Sequence, residues 1–461
     1  MTSFRAPSQP PPLDVPVNRV IKEVGAALAE GRCIYFLGAG VSVPSGLVQW
    51  PELLKILGSD DLGFQLQPTD DLPLIAQYLQ NHHVGNRGFL RRLPSALRRK
   101  QTGINPYFAA LHRTRLKKIW TTNFDTLAEE SLSRGRTVRV ISDDKDLERD
   151  DISAELEIVK VHGCITRSAL QDLVLTRDDY HNFERTRPAI AHSLKSDLLF
   201  NDCLFLGYSH QDPNIWTALR QAAELTGTCR RHYLIAKLET DPEARARQRH
   251  WVTELRRHGI ETALVAEYRC IEQALQQIAL ASRGQTVFIT GSHTDDNNAL
   301  AEAIGQRLGQ DADITILDGQ SAGVGRSAVN AFGMSSIEHK IDVGKRIRFY
   351  SNPYSFDPQL SNRHDLLDDL RTLRRPLLRD ARVVVVFDGR MGTELEVQLA
   401  REMGCVVIPV PSDTDSHGYA RKLAQDEGLL KGLSPEYRSH LEDKEPLTAD
   451  IVAEEIVRLL R

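Results

Sequence analysis

Short apolar runs alternate with amphipathic helical patterns along most of the chain. The run at 33–37 (CIYFL) ends in a glycine, which is typical of a buried strand that leads into a loop. A helical pattern over 20–30 precedes it. Alternation of this kind predicts an α/β fold with a mainly parallel sheet. Further strands of the first sheet are expected at 117–122, 137–141, 156–162, 203–207, 232–236 and 262–266.

Two interruptions divide this pattern. Residues 51–118 contain helical patterns and few strand-like runs, so we expect a helical insertion beside the sheet. After the segment 281–285 (ASRGQ) a second α/β series begins. Its strands are expected at 286–291, 314–319, 346–351, 382–389 and 405–410, and its helices at roughly 295–308, 364–379, 393–403 and 448–460. The predicted fold is therefore two doubly wound, Rossmann-like parallel-sheet domains at 19–283 and 284–461, after a flexible N-terminal arm at 1–18.

Composition narrows the function classes. Lys and Arg number 58 and Asp and Glu 62 in 461 residues, a formal net charge of −4, which argues against a general nucleic-acid or polybasic membrane binder. No apolar run approaches the ~20 residues of a membrane span, and the first residues lack a signal-peptide pattern. We expect a cytoplasmic protein. The 6 cysteines form no CxxC pair, so no metal site is expected.

Four polar loops follow apolar strands of the first series. The segment FLGAGVSVPSGL places two glycines and a serine directly after the first strand, where a backbone can approach a pyrophosphate and the N–H groups of a helix start can hold its charge. TTNFD (121–125), VHG (161–163) and GYSHQDPN (207–214) each follow another strand. Open parallel sheets bind ligands at the carboxyl ends of their strands. The four loops therefore predict one nucleotide site.

GAGVS, TTNFD, VHG and LFLGYSHQDPNI, in that order, resemble the sirtuin-like NAD-binding fold in its bacterial, zinc-free branch. The resemblance covers most of 19–283 and implies that NAD+ is the substrate. It implies that Asn123 and Asp125 face the nicotinamide ribose and that His162 is the general base. Asp125 could instead only cap the following helix. The NAD contacts that the resemblance implies are Gly38, Ala39, Gly40, Ser42, Gly207, Ser209 and Asp212. Ser209, with Asp212 nearby, would hold the adenosine half.

The residue types suit cleavage of the nicotinamide–ribose bond. Nicotinamide leaves as a neutral base from a cationic ring, so no acid is needed, whereas the incoming nucleophile needs a base, and a neutral imidazole takes a proton near pH 7. Deacylases of this family carry a four-cysteine zinc module after the HG pair. Here 163–180 (GCITRSALQDLVLTRDDY) holds a single cysteine. This departure favours water as the acceptor, giving nicotinamide and ADP-ribose.

A second constellation lies in the C-terminal series. The strand at 382–387 runs into DGRMGTELE (388–396), and an arginine-rich helix precedes it. This resembles the SLOG superfamily pattern PGGxGTxxE, with PGG replaced by 388–390, a departure that argues against hydrolysis rather than against nucleotide binding. Glu396 could instead form only a cap or a salt bridge. The signal-nucleotide contacts implied are Gly291, Ser292, Arg371, Arg374, Gly392, Thr393 and Glu396.

Together the two resemblances point to the two-domain effectors of Thoeris antiphage defence. They imply that a TIR-domain partner makes a cyclic ADP-ribose isomer, that the SLOG domain binds it, and that the first domain then depletes NAD in abortive infection. They also imply a homotetramer or filament, with no membrane and no nucleic-acid partner.

Three alternatives stay open at this point. The first domain could be a zinc-free protein deacylase or an ADP-ribosyltransferase. The chain could be a non-catalytic nucleotide-binding scaffold. The SLOG domain could itself be a phosphoribohydrolase.

Overall fold

The structure is a computed structural model. It describes residues 14–67, 70–83, 87–98, 103–148, 153–226, 230–291, 297–352, 366–411 and 418–461. The chain divides into two compact units, one of Met1–His112 with Leu116–Ser282 and one of Arg113–Arg115 with Arg283–Arg461. None of the helices in the described part has the length and apolarity that crossing a membrane requires.

The first unit alternates strands and helices. Its strands are β1 (Cys33–Leu37), β2 (Lys118–Thr121), β3 (Val138–Ile141), β4 (Leu156–Lys160), β5 (Asp202–Leu206), β6 (His232–Lys237) and β7 (Ile260–Val265). Its helices are α1 (Val17–Ala29), α2 (Trp50–Leu57), α3 (Leu72–His82), α4 (Leu93–Ala96), α5 (Pro106–Arg113), α6 (Leu127–Leu132), α7 (Arg177–His181), α8 (Phe183–Thr186), α9 (Pro188–Phe200), α10 (Pro213–Thr226), α11 (Pro242–Arg257) and α12 (Tyr268–Ala281).

The first sheet is parallel throughout, in the order β3-β4-β2-β1-β5-β6-β7. β1 lies between β2 and β5, so the chain builds the sheet outward in both directions from this strand. Such a reversal of strand order opens a crevice at the carboxyl ends of the central strands. Every residue of β1 and β5 is buried, because helices cover both faces of the sheet.

The predicted helical insertion is present between β1 and β2. The described residues of this stretch form α2 to α5 and short 3-10 segments, with no strand among them. The basic stretch that begins at Arg87 forms a 3-10 segment, Arg87–Arg92, followed by α4. α1 begins at Val17, three residues before the predicted start. Most of the predicted N-terminal arm, residues 1–13, lies outside the described residues.

The second unit is a smaller parallel sheet between helices. Its strands are β8 (Thr286–Thr290), β9 (Thr315–Asp318), β10 (Ile347–Phe349), β11 (Val383–Phe387) and β12 (Val406–Val410), in the order β10-β9-β8-β11-β12. Its helices are α13 (Asn298–Gly309), α14 (Val324–Glu338), α15 (Leu366–Asp380), α16 (Met391–Met403), α17 (Tyr419–Leu423), α18 (Glu427–Leu430), α19 (Pro435–Asp443) and α20 (Ala449–Leu460). The fold class expected from the sequence is confirmed: both sheets are parallel and doubly wound.

The 15-residue α14 is the main element that the sequence pattern does not indicate. It packs on α13 at very short range, because a Cβ built on Gly309 would lie 2.6 Å from the carbonyl oxygen of Phe332, and one built on Gly305 would overlap the backbone at Ala328. Contact between the helix backbones replaces the interdigitated side chains that produce a clear apolar stripe.

Candidate functional site

The loops after β1 and β5 touch backbone to backbone at the carboxyl edge of the first sheet. The amide of Gly38 donates to the Leu206 carbonyl at 2.9 Å, and that of Gly40 donates to the Gly207 carbonyl at 2.9 Å. A Cβ on Gly40 would lie 2.7 Å from the Gly207 Cα. These glycines are thus required for the contact between the two loops. Their amides are not the free donors that the sequence analysis expects for a phosphate, and the NAD contacts of this segment stay a prediction.

Substituting Gly207 with alanine is expected to destabilise the first unit. Gly207 has φ of 59°, and its Cβ would lie 2.5 Å from the Val41 amide nitrogen. The left-handed backbone alone costs a non-glycine residue roughly 1–2 kcal/mol, and the overlap adds to it. Gly63→Ala is the matched control, since Gly63 also has positive φ (78°) but no atom within 4 Å of its Cβ position. Urea denaturation of both variants isolates the overlap, and equal losses would contradict this account.

The loop after β2 contacts the loop after β1 through the side chains of Asn123 and Asp125. The Asn123 amide nitrogen donates to the Gly38 carbonyl at 3.1 Å and lies 3.3 Å from the Ser42 hydroxyl oxygen. The Ser42 hydroxyl donates to Asp125 Oδ2 at 2.9 Å, and Asp125 Oδ1 accepts from the Leu127 amide at 3.0 Å. Asp125 therefore accepts from the first residue of α6 and also takes part in the polar network. The structure brings Ser42, Asn123 and Asp125 together, while their contacts with NAD+ stay a prediction.

A buried lysine contacts this loop, and it was not predicted as a site residue from the sequence. Lys160 is the last residue of β4, and its ammonium group donates to the Asp125 carbonyl oxygen and to Glu129 Oε1. The second contact is a 2.7 Å ion pair with α6. A charged residue at the end of an apolar strand, two positions before the histidine, was the available signal.

His162 lies directly beside Asp212. Its Nε2 is 3.0 Å from Asp212 Oδ2, although the two atoms are not aligned as a hydrogen bond, and the side chains are 1% and 7% exposed. Neither ring nitrogen of His162 has a hydrogen-bond partner among the described residues. A buried polar group left unpaired costs about 1–3 kcal/mol. Such a group in a native fold needs an explanation, either an ordered water or a role in the chemistry.

Aromatic side chains enclose this pair. The rings of Tyr180 and His162 have centroids 5.0 Å apart at 73°, and the centroid of the Phe124 ring lies 6.3 Å from that of His162. Burial raises the pKa of Tyr180 and of Tyr208 well above the usual tyrosine value, and the nearby Asp212 carboxylate adds to both shifts. The two phenols therefore stay neutral and add no second negative charge beside Asp212.

The structure separates the predicted adenosine contacts. Ser209 is exposed, whereas Asp212 is buried beside His162, so the two residues lie in different surroundings and both contacts stay predictions. His210 between them is a core residue, because it packs on Phe205 and Tyr208, and its burial lowers its pKa to about 3.

The helical insertion supports the site through a residue that the sequence analysis did not single out. Asn105 is buried, and its side-chain nitrogen donates to the Val41 carbonyl at 2.8 Å and to the Ser45 hydroxyl at 3.0 Å. It thereby fixes the 3-10 segment Ala39–Ser45 that follows β1. An asparagine directly before a Pro-started helix carries no distinctive sequence signal of this role.

The second candidate site lies at the carboxyl edge of the second sheet. Arg374 Nε is 2.7 Å from Glu396 Oε1, with the side chains 3% and 9% exposed, and Glu396 Oε2 accepts from the Thr290 hydroxyl. Arg374 also donates to the Gly319 carbonyl at 2.7 Å and to the Ser321 hydroxyl at 2.8 Å. Both carboxylate oxygens thus have protein partners, so ribose contact by Glu396 would require this pair to open.

The other predicted contacts in this unit differ in position. Arg371 is not brought to the Arg374–Glu396 pair; its partner is Glu402 at 3.4 Å, six residues further along α16. Thr393 is buried in the first turn of α16, and Gly392 beside it borders open space. Gly291 packs tightly, since a Cβ there would lie 2.6 Å from the Phe387 Cβ. Ser292 lies outside the described residues.

Within the described ranges, no group of three or more His, Cys, Asp and Glu side chains is arranged to hold a metal ion.

A family model for a SIR2-like domain matches residues 117–262, which carry the β2, β4 and β5 loops. The chain is 28% identical over 333 residues to the NAD(+) hydrolase ThsA of Bacillus cereus (strain MSX-D12), covering 68% of this chain and 69% of that protein. It is 28% identical over 473 residues to the NAD(+) hydrolase ThsA of Cytobacillus dafuensis, covering 94% and 91%. Defense-associated sirtuin 2 of Bacillus subtilis is 29% identical over 210 residues, covering 44% and 20%.

Proposed function

We propose that this chain, a ThsA-like protein with a SIR2-like domain, is an NAD+ hydrolase that acts in antiphage defence. The observation that carries the proposal is the convergence of Asn123, Asp125 and His162 at one edge of the first sheet. The relatives named NAD(+) hydrolase ThsA agree with the reaction that these residue types favour.

The proposed reaction breaks the bond between the nicotinamide nitrogen and the ribose C1′. The bonding electrons stay with the nitrogen and neutralise the pyridinium, while the ribose carbon becomes oxocarbenium-like. A water oxygen then bonds to C1′, and its proton passes to the His162 imidazole, so the products are nicotinamide, ADP-ribose and H⁺. Asn123 holds a ribose hydroxyl or the water with its amide oxygen, which the bonds to Gly38 and Ser42 leave unused.

The segment after the HG pair supports water rather than a peptide as acceptor. In a zinc-bearing deacylase this stretch helps to frame a cleft for the substrate peptide. Here a buried arginine, Arg187, holds this stretch against the first unit. It donates to the Asp172 carbonyl of the stretch at 2.7 Å and to the Ser142 carbonyl at 2.6 Å.

The second part of the proposal is control by a nucleotide. We place a cyclic ADP-ribose isomer, made by a TIR-domain partner as in Thoeris systems, at the SLOG-like second unit, near the start of α16. The open space at Gly392 and the arginine-lined edge support this location. The burial of His162 supports a site that is closed at rest, since NAD+ can reach this ring only if the covering groups move. A homotetramer or filament is the proposed active assembly.

The test is nicotinamide release from NAD+ by the purified full chain, with and without a panel of cyclic ADP-ribose isomers. We expect release with one isomer and little without it; near-complete switching needs roughly a 10⁴-fold preference of the isomer for the active state. Release without any isomer would keep the hydrolase and reject the nucleotide control. Tight NAD+ binding with no release in any condition would reject the hydrolase in favour of a scaffold, and transfer of label to protein would favour a transferase.

A further inference from the structure

Asp212 has more polar contacts than a helix cap needs. Its Oδ1 accepts from the amide of Asn214 at 2.9 Å and lies 3.4 Å from that of Ile215, so this oxygen caps α10. Its Oδ2 is directed away from the helix and lies 3.0 Å from His162 Nε2. Capping uses one oxygen and leaves the second buried beside an imidazole.

The surroundings make this second oxygen unusual. A carboxylate is rarely buried unless it is paired. The polar group beside Asp212 Oδ2 is His162 Nε2 at 3.0 Å, and the nearby phenols of Tyr180 and Tyr208 are neutral. A negative charge in this position favours a proton on the nitrogen of His162 that faces it. It also stabilises the imidazolium that forms when the ring takes a second proton.

We infer that Asp212 is a positioning residue for His162: it holds the proton of the neutral ring on Nε2 and so leaves Nδ1 as the nitrogen that accepts the proton from water. This inference rests on the proposed NAD+ hydrolysis and replaces the adenosine contact expected from the sequence. Hydrogen bonds of catalytic groups are often misaligned before the substrate binds.

The cap makes Asp212→Asn an unusually clear test. The side-chain oxygen of asparagine must stay where Oδ1 is, since only an oxygen accepts from the two backbone amides. The NH₂ group then faces His162 Nε2 and donates to it. Nε2 must therefore be unprotonated, and the proton moves to Nδ1, which can no longer act as a base. Asparagine caps helices as well as aspartate, so the fold is expected to be kept.

The expected result for Asp212→Asn is a loss of kcat of about 10²–10⁴-fold with KM within about threefold of wild type, by analogy with other carboxylate–histidine pairs. The double variant with His162→Ala should be no slower than His162→Ala alone, because residues that act as one unit are not additive. An adenosine contact predicts the opposite: a raised KM, an unchanged kcat and additive losses. A raised KM, additive losses in the double variant, or a kcat within threefold of wild type would each overturn the inference. If Asp212→Asn does not fold, as judged by its melting temperature, Asp212→Ser keeps a cap and takes its place, with the same expectations for kcat, KM and the double variant.

A readout without turnover separates this inference from the proposed function. In full-length protein labelled with ¹⁵N at histidine, the His162 signals are those missing from His162→Ala. We expect Nε2 protonated in the wild type and Nδ1 protonated in Asp212→Asn. An unchanged tautomer would overturn the inference even if NAD+ is hydrolysed. A wild-type chain that never releases nicotinamide would reject the proposed function, while the tautomer result still decides the role of Asp212.

Discussion

Replacing His162 with alanine is expected to lower kcat for NAD+ hydrolysis by about 10²–10⁴-fold, the usual contribution of a general base. The His162 imidazole is buried at the edge of the sheet, with its Nε2 3.0 Å from the Asp212 carboxylate. The measurement is nicotinamide release by the activated full chain, with NAD+ affinity determined separately by calorimetry. Affinity should change little, because the base contacts the nucleophile rather than the bulk of the substrate.

His192→Ala is the matched control, because His192 is an exposed histidine on α9 of the same unit. It should leave kcat and melting temperature unchanged.

Asn123→Ala is a second test of the same site. It removes the amide and its bonds to Gly38 and Ser42, so both kcat and NAD+ affinity should fall. A His162→Ala variant with wild-type kcat would exclude the base mechanism. If kcat falls only in proportion to the loss of folded protein, His162 has a structural role in the core and no role in catalysis.

Strand positions were the part of the fold that the sequence could predict. Strands buried on both faces form continuous apolar runs, and β1, Cys33–Leu37, was placed to the residue for this reason. α14 was not predicted because its contacts with α13 are made by its backbone at glycines of α13, so the face of α14 that meets α13 needs no regular apolar stripe. The hydrophobic pattern of a sequence indicates which side chains bury apolar surface. It does not indicate contacts that are made by the backbone.

The candidate site was predictable in location and less so in detail. Parallel strands end at one edge, so polar loops after four strands had to converge. Which atoms meet there depends on side-chain direction, and the pairing of Asp212 with His162 follows from the turn between Gly207 and α10 rather than from spacing. Lys160 was missed because a lone charge at a strand end is ordinarily solvated, whereas here α6 covers it.

The second large effect is expected on stability. Arg374→Met should lower the free energy of unfolding of the second unit by about 3–5 kcal/mol, because it leaves the Glu396 carboxylate buried without a counter-charge. Urea denaturation of the full chain, followed by a probe in each unit, measures this loss. A loss below about 1 kcal/mol would mean that the pair is hydrated or already open in solution.

The double variant Arg374→Met with Glu396→Leu tells a structural pair from a nucleotide contact. An apolar pair of similar volume can replace a buried ion pair at little cost, but Arg374 also donates to the Gly319 carbonyl, and that lost bond leaves a deficit of about 1–3 kcal/mol. Stability should therefore recover in part. If these residues also contact the signal, the recovered protein will not respond to any cyclic ADP-ribose isomer while its catalytic residues remain intact. If it still responds, the Arg374–Glu396 pair serves the fold alone, and the nucleotide binds through the open start of α16.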